Sequence, residues 1–84
     1  MEKRIIEEKV KKILNDITDN VFNIQNNTSI IFDLNIDSVR ILCLLVNLER
    51  EFNLSFGTED LTMDSFETVE SLVLAVDQTL NHNT

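Results

Sequence analysis

The sequence predicts an all-α fold: a bundle of three main helices and one short helix, with a long loop after the first helix. Three segments carry apolar residues at the three- and four-residue spacing of amphipathic helices. The chain contains no proline and one glycine, Gly57, so little interrupts those segments. With 84 residues it has room for one hydrophobic core but not for a deep cleft. We therefore expect residues 1–84 to form a single domain.

The first predicted helix spans residues 3–19, and the Asn-rich segment 20–28 ends it, because Asn favours turns over helix interiors. Its apolar face consists of Ile5 or Ile6, Val10, Ile13, Leu14 and Ile17. The connection that follows is unusually long for so small a domain, and such loops are ordered mainly where they have a function. We expect four apolar side chains to hold it against the core, namely Ile24, Ile30, Phe32 and Leu34.

The second predicted helix, residues 38–53, has two apolar stripes. A core stripe at helical spacing comprises Ile41, Leu44, Leu45, Leu48 and Phe52. A second stripe, displaced around the helix, comprises Val39, Leu42, Cys43 and Val46. We interpret the second stripe as an exposed docking strip for partner proteins, since three helices rarely cover both stripes. A wider contact with the core is the alternative.

The remaining predicted elements are a short turn of helix at 59–63 and a last helix at 68–80. Thr58 is a candidate cap for the short turn. The apolar side of the last helix comprises Val69, Leu72, Val73 and Val76. Residues 81–84, including His82, are predicted to be a frayed tail.

The net charge of −8 is concentrated in one part of the chain. Residues 1–32 contain five acids and five bases, whereas residues 33–77 contain ten acids and only Arg40 and Arg50 as bases. Such a surface repels phosphate backbones, which argues against nucleic-acid binding. It would instead steer the protein towards basic patches on partner proteins, unless the charge serves only solubility.

The composition also indicates in which cellular compartment the protein is found. The single cysteine, Cys43, permits no internal disulfide, and no stretch has the length of a membrane span. The first residues, Met1 to Arg4, lead into a charged helix and not into the apolar run of a signal peptide. We expect a cytoplasmic monomer without membrane contact.

Asp37 and Ser38 begin the second helix, and they are the candidate functional residues. Catalysis by Ser38 requires an activating base, but the only histidine, His82, lies in the predicted tail, and Cys43 suits a small apolar filler better than a nucleophile. We therefore predict no catalytic residue. A calcium loop starting at Asp33 also fails, because it lacks the required glycine and the final glutamate; no metal site is predicted. A helix N-terminus does suit a phosphodiester, although a serine there often only caps the helix.

The sequence resembles acyl and peptidyl carrier proteins in three places. Residues 32–39, FDLNIDSV, are similar to that family's attachment motif, Asp-Leu-Gly-x-Asp-Ser-Leu. Residues 48–52, LEREF, resemble Leu-Glu-Glu-Glu-Phe at the end of the same helix, and residues 66–69, FETV, resemble the entry to the last helix. The three matches occur in the family's order and cover most of the chain.

The resemblance implies a carrier without catalytic activity of its own. Ser38 would receive 4′-phosphopantetheine from coenzyme A through a phosphopantetheinyl transferase, and Asp37 would serve recognition by that enzyme or its metal. The arm's thiol would carry cargo as a thioester, loaded by an adenylating or acyl-loading enzyme and passed to condensing or transferring enzymes. The resemblance places the family's short third helix at residues 61–66. The partner-binding residues would be Val39, Leu42, Cys43, Val46 and, on that short helix, Met63.

Two departures from the family's pattern are informative. Asn35 replaces the motif's glycine, a mild change because Asn tolerates left-handed backbone. Arg40 and Cys43 stand where carriers of fatty acid synthesis are often acidic. This favours a stand-alone carrier of a specialised nonribosomal peptide or polyketide-type pathway. The alternatives are a carrier of fatty acid synthesis or D-alanyl transfer, and a helical interaction module with no prosthetic group.

Overall fold

A computed structural model describes residues 2–18, 24–56 and 63–82. These ranges contain three α-helices, α1 (Lys3–Thr18), α2 (Ser38–Phe52) and α3 (Val69–His82), and a 3-10 helix at Met63–Phe66. No strand occurs within them, which confirms the all-α prediction. No helix in these ranges is both long and apolar enough to cross a membrane.

The helix boundaries are close to those predicted, with one correction. Helix α3 continues to His82, two residues beyond the predicted end at Leu80, so Asn81 and His82 are helical and not part of a frayed tail. No proline or glycine follows Leu80 to stop the helix. The predicted short turn at 59–63, with its cap Thr58, falls outside the described residues except for Met63, where the 3-10 helix begins.

One hydrophobic core joins the helices, and α1 packs against both α2 and α3. Each helix is amphipathic, so each has one buried face. On α1 the buried member of the Ile5–Ile6 pair is Ile6. The buried positions on the predicted faces are Ile6, Val10, Ile13 and Leu14 of α1, Leu44, Leu48 and Phe52 of α2, and Val69, Leu72, Val73 and Val76 of α3.

The connection between α1 and α2 contains a hydrogen-bonded turn at residues 29–34. The amide of Asp33 donates to the Ser29 carbonyl, and Asp33 Oδ2 in return accepts the Ser29 amide at 2.8 Å. Ile30 and Leu34 are four residues apart, so both lie on the core side of this turn and are buried. The prediction that Phe32 also anchors the connection is wrong: it lies on the opposite side and is 87% exposed.

The same connection is tied to the start of α3. The amides of Val69 and Glu70 donate to the carbonyls of Thr28 and Asn26 at 3.0 and 2.8 Å. Thr68 Oγ1 accepts the amide of Ser71, as an N-cap does. The first-turn amides of α3 are therefore satisfied by the loop, which fixes the path of the chain towards α2.

Candidate functional site

Asp37 is the N-cap of α2. Its backbone is extended, with φ −91° and ψ −178°, and its Oδ1 accepts the amide of Arg40 at 2.9 Å. Its carbonyl accepts the amide of Ile41 and so begins the helical hydrogen bonding. The interpretation of Ser38 as a cap is therefore wrong, because the residue before it has that role.

Ser38 is the first helical residue and is exposed. Its hydroxyl forms no hydrogen bond with any residue in the described ranges, and the helix does not need it. The amides of Ser38 and Val39 belong to the first turn, where no helical carbonyl precedes them. An exposed, uncommitted hydroxyl thus lies beside backbone donors and the positive end of a helix dipole, which together suit a phosphodiester.

The loop before Ser38 holds this arrangement in place. Leu34 and Ile36 are buried, with 6% and 4% exposure, on either side of Asn35. Asn35 has φ 52°, in the left-handed region that the sequence predicted it would tolerate in place of glycine. Two buried side chains separated by one left-handed residue direct the chain into Asp37 at the helix start.

The acids around the site are bound to backbone amides. Asp33 accepts the Ser29 amide and Asp37 accepts that of Arg40, so these carboxylates stabilise the turn and the helix start. Within the three described ranges, no group of three or more potential metal-binding side chains occurs.

The second apolar stripe of α2 lies on the surface. Val39, Leu42 and Val46 are 68%, 63% and 52% exposed, and Cys43 is an exposed free thiol. The alternative of a wider core contact is therefore wrong, as is the view of Cys43 as a filler of the interior. Ile41 and Leu45, from the core stripe, pack against the core as predicted.

A surface groove of about 330 Å³ follows this stripe and adds two residues that the sequence interpretation missed. It is lined by Leu42, Cys43, Val46, Asn47 and Arg50. Asn47 and Arg50 lie four residues after Cys43 and Val46, so helical spacing would have placed them on the same face. They were missed because the stripe was defined by apolar residues alone. Met63, a predicted partner residue, begins the 3-10 helix.

These features define a small helical domain that presents an exposed serine at a helix N-terminus beside an apolar surface. The model of a family described as the phosphopantetheine attachment site matches residues 6–76, most of the chain. The chain therefore belongs to the acyl and peptidyl carrier protein family. It acts as a carrier with covalently attached 4′-phosphopantetheine, which excludes the interaction module without a prosthetic group.

A curated relative of this chain is an acyl carrier protein. The chain is 39% identical over 56 residues to the acyl carrier protein of Buchnera aphidicola subsp. Schizaphis graminum (strain Sg), covering 66% of this chain and 71% of the relative. No solved structure matches the chain significantly. Carrier domains of this family are generally non-catalytic and interact with the enzymes that modify them and handle their acyl groups.

Proposed function

We propose that Ser38 is the residue that carries phosphopantetheine. The observation that supports this most directly is the division of roles at the start of α2, where Asp37 caps the helix and leaves the Ser38 hydroxyl exposed and unbonded within the described residues. Other described serines, such as Ser29 and Ser71, already form hydrogen bonds with neighbouring groups. Ser38 also matches the serine of the family's attachment motif.

The attachment reaction forms one bond and breaks one. The Ser38 Oγ bonds to a phosphorus of the coenzyme A diphosphate, and the bridging phosphorus–oxygen bond breaks, so that adenosine 3′,5′-bisphosphate leaves. The hydroxyl proton passes to a base of the transferase. When attached, the arm supplies a thiol that holds the cargo as a thioester. The first-turn amides stabilise the phosphodiester at Ser38.

We also propose that Asp37 is recognised by the transferase. Its Oδ1 is bound to the amide of Arg40, and a carboxylate has a second oxygen that can accept from a basic group or bind a metal held by the enzyme. Asp37→Asn separates this role from capping, because Asn caps helices as well as Asp does. We expect this variant to remain folded but to be modified more slowly.

The type of biosynthetic pathway is proposed from the residues on the outer surface of α2. Arg40 and Cys43 are both exposed there, at positions where the family's fatty acid carriers are often acidic. This supports a stand-alone peptidyl or acyl carrier of a specialised nonribosomal peptide or polyketide-type pathway. Its partners would be a phosphopantetheinyl transferase, an adenylating or acyl-loading enzyme, and downstream condensing or transferring enzymes.

A second candidate function is supported by the curated relative. The relative from Buchnera is an acyl carrier protein, which favours a carrier for fatty acid synthesis or another single-acid service such as D-alanyl transfer. Both candidates use the same serine and the same prosthetic group. They differ in the cargo and in the enzyme that loads it.

The attachment site is tested by intact mass after incubation with coenzyme A and a broad-specificity phosphopantetheinyl transferase. The parent chain should gain the mass of one phosphopantetheine group, and Ser38→Ala should gain none. Ser55→Ala is the matched control, because Ser55 is also exposed in a described loop; it should be modified like the parent. Modification of Ser38→Ala, or none of the parent, would contradict the assignment.

The pathway is tested by loading the phosphopantetheine-bearing protein with a panel of adenylating enzymes and a malonyl transferase. The specialised carrier should accept aminoacyl or aryl groups, and Leu42→Asp should reduce that loading about tenfold if the strip meets the loading enzyme. Efficient malonyl transfer without aminoacyl or aryl loading would favour fatty acid synthesis instead. Circular dichroism of Leu42→Asp controls for folding.

A further inference from the structure

We propose that the outer face of α2, comprising Val39, Leu42, Cys43, Val46 and Asn47 with Arg40 and Arg50, docks a partner protein whose apolar contact surface is fringed by carboxylates. This rests on the proposed carrier function and names the chemistry of the partner. It differs from the expectation drawn from the net charge of −8, which steers the whole domain towards basic surfaces.

The acids near this face are engaged in contacts within the protein. Residues 33–51 contain four, and each is bound within the chain. Asp33 and Asp37 accept backbone amides of the turn and of the helix start. Glu49 Oε2 accepts the amide of Phe56 at 2.9 Å, and Glu51 Oε2 pairs with Lys9 Nζ at 3.0 Å. The carboxylates of this region therefore stabilise the fold.

Arg40 and Arg50 are exposed, and neither forms an ion pair with a residue in the described ranges. Lys9 provides the contrast, because it pairs with Glu51 and also lies 5.9 Å from the ring of Phe52. The outer face of α2 thus presents positive charge although the chain as a whole is acidic.

The two arginines of α2 lie on or beside the apolar strip. At 100° per residue, Arg50 falls between Cys43 and Val46 around the helix, and it lines the same groove. Arg40 follows Val39 and lies on the flank of the face occupied by Asn47. Ten residues at 1.5 Å each separate the arginines by about 15 Å along the helix. They therefore lie near the two ends of the apolar strip.

The size and the charge of this face favour a transient partner over a second copy of this chain. A helix face roughly 15 Å long and 10 Å wide has an area on the order of 150 Å², far less than the ~800 Å² per partner of a stable complex. A second copy of this chain is also disfavoured. Whether two α2 helices met parallel or antiparallel, arginines would face arginines, since the acids of α2 are held elsewhere. A transient partner with complementary carboxylates fits both facts.

The experiment uses two synthetic helical peptides as probes, each with a leucine face, one fringed by glutamate and the other by lysine. Each is titrated into the full-length ¹⁵N-labelled protein, with and without phosphopantetheine. We expect the glutamate peptide to shift the amide resonances of residues 39–50. The double variant Arg40→Glu with Arg50→Glu should weaken that binding about tenfold, the sum of two modest ion pairs.

The matched control is Arg4→Glu, which makes the same charge change at an exposed arginine on α1 and should leave the affinity unchanged. Arg40→Glu places an acid in the first turn of α2, which favours folding, so this single variant keeps the test valid if Arg50→Glu is unstable. Stronger binding of the lysine peptide at residues 39–50, or no binding of the glutamate peptide there, overturns the proposal. So does a shift of those resonances on dilution alone, which indicates a second copy as the occupant.

The result of the peptide titration does not depend on whether Ser38 is the attachment site. The titration of the unmodified protein measures only the face of α2, whereas mass spectrometry reports modification at Ser38. A chain that binds the glutamate peptide but is never modified would contradict the proposed function alone. A chain modified at Ser38 that binds only the lysine peptide would contradict the docking proposal alone.

Discussion

At the scale of single residues, Asp37 and Ser38 divide two roles that one side chain could not combine. An N-cap oxygen must accept a backbone amide, and a phosphopantetheine anchor must be free to form a phosphoester. In this chain the cap precedes the proposed anchor, Ser38, by one residue, so the Ser38 hydroxyl lies at the first helical position without a structural task. Modification of Ser38 therefore removes no hydrogen bond that the helix uses.

Substitutions at these two positions should differ in their effect on stability. Asp37→Ala loses the bond to the amide of Arg40 and should lower the free energy of unfolding by ~1 kcal/mol. Ser38→Ala should change it by less than about 0.5 kcal/mol, as an exposed site without partners does. Urea denaturation of the unmodified proteins measures both, with Asp37→Asn as a control that should retain the cap. A larger loss for Ser38→Ala than for Asp37→Ala would contradict the assignment of the cap.

The left-handed Asn35 could be predicted, because it depends on the local chemistry of one residue in a short motif, whereas Ser38 as the attachment residue stays a prediction. The sequence did not identify the cap, since Asp and Ser are about equally good N-caps and stand side by side. It misplaced Phe32, because the hydrophobicity of a loop residue does not tell whether its side chain faces the core or the solvent. Only the turn formed by Ser29 and Asp33 decides that Ile30 and Leu34 face the core and Phe32 the solvent.

At the scale of elements, α2 has two opposite apolar faces with different tasks. Leu44 and Leu48 are fully buried on one face, whereas Leu42 and Val46 are more than half exposed on the other. Exposed apolar side chains add little to stability and favour association, which supports the proposal that partners use this face. The helix is thus both part of the core and a docking surface in this proposal.

Alanine substitutions on the two faces of α2 should separate these tasks. Leu44→Ala and Leu48→Ala should each cost about 2–5 kcal/mol, because each leaves a cavity in the core. Leu42→Ala and Val46→Ala should each cost less than about 0.5 kcal/mol. Leu42 and Leu44 are a matched pair, because they are the same residue type two positions apart within α2 and differ in burial. Chemical denaturation measures all four, and a cost above 2 kcal/mol at Leu42 would place it in the core.

The three main helices could be predicted from the sequence because each shows a sustained apolar periodicity. Their ends were less certain, as at α3, where no residue after Leu80 stops the helix before His82. Asn53 did mark the end of α2, since it adopts φ 52° and its amide donates to the Glu49 carbonyl. The contacts of the first connection with α3 could not be predicted, because backbone carbonyls of any sequence can accept such hydrogen bonds.

At the scale of the whole molecule, the net charge alone does not describe the surface, because the acids differ in the contacts that they make within the fold. The count of acids predicts an acidic surface, but it does not tell which acids are bound within the fold. The four acids of residues 33–51 form hydrogen bonds or an ion pair within the chain. Three further acids, Asp64, Glu67 and Glu70, are exposed at three-residue intervals around the start of α3. These three acids lie within seven residues of sequence with no base between them, so they add to the net negative charge of the chain.

This excess of negative charge predicts that salt stabilises the protein. Raising NaCl from about 20 mM to about 500 mM shortens the Debye length from roughly 20 Å to 4 Å and screens repulsion that is stronger in the compact state. The salt bridge in the described residues, Lys9–Glu51, is half exposed and loses little. We expect a gain on the order of 1 kcal/mol in the free energy of unfolding, seen in thermal unfolding as a midpoint about 4–8 °C higher.

Glu67→Gln should raise the midpoint at low salt and reduce its salt dependence, because it removes one exposed acid between two others. Lys12→Gln, an exposed control of opposite sign on α1, should do the reverse. A midpoint that falls with salt would show that attractive pairs, and not repulsion, dominate the surface.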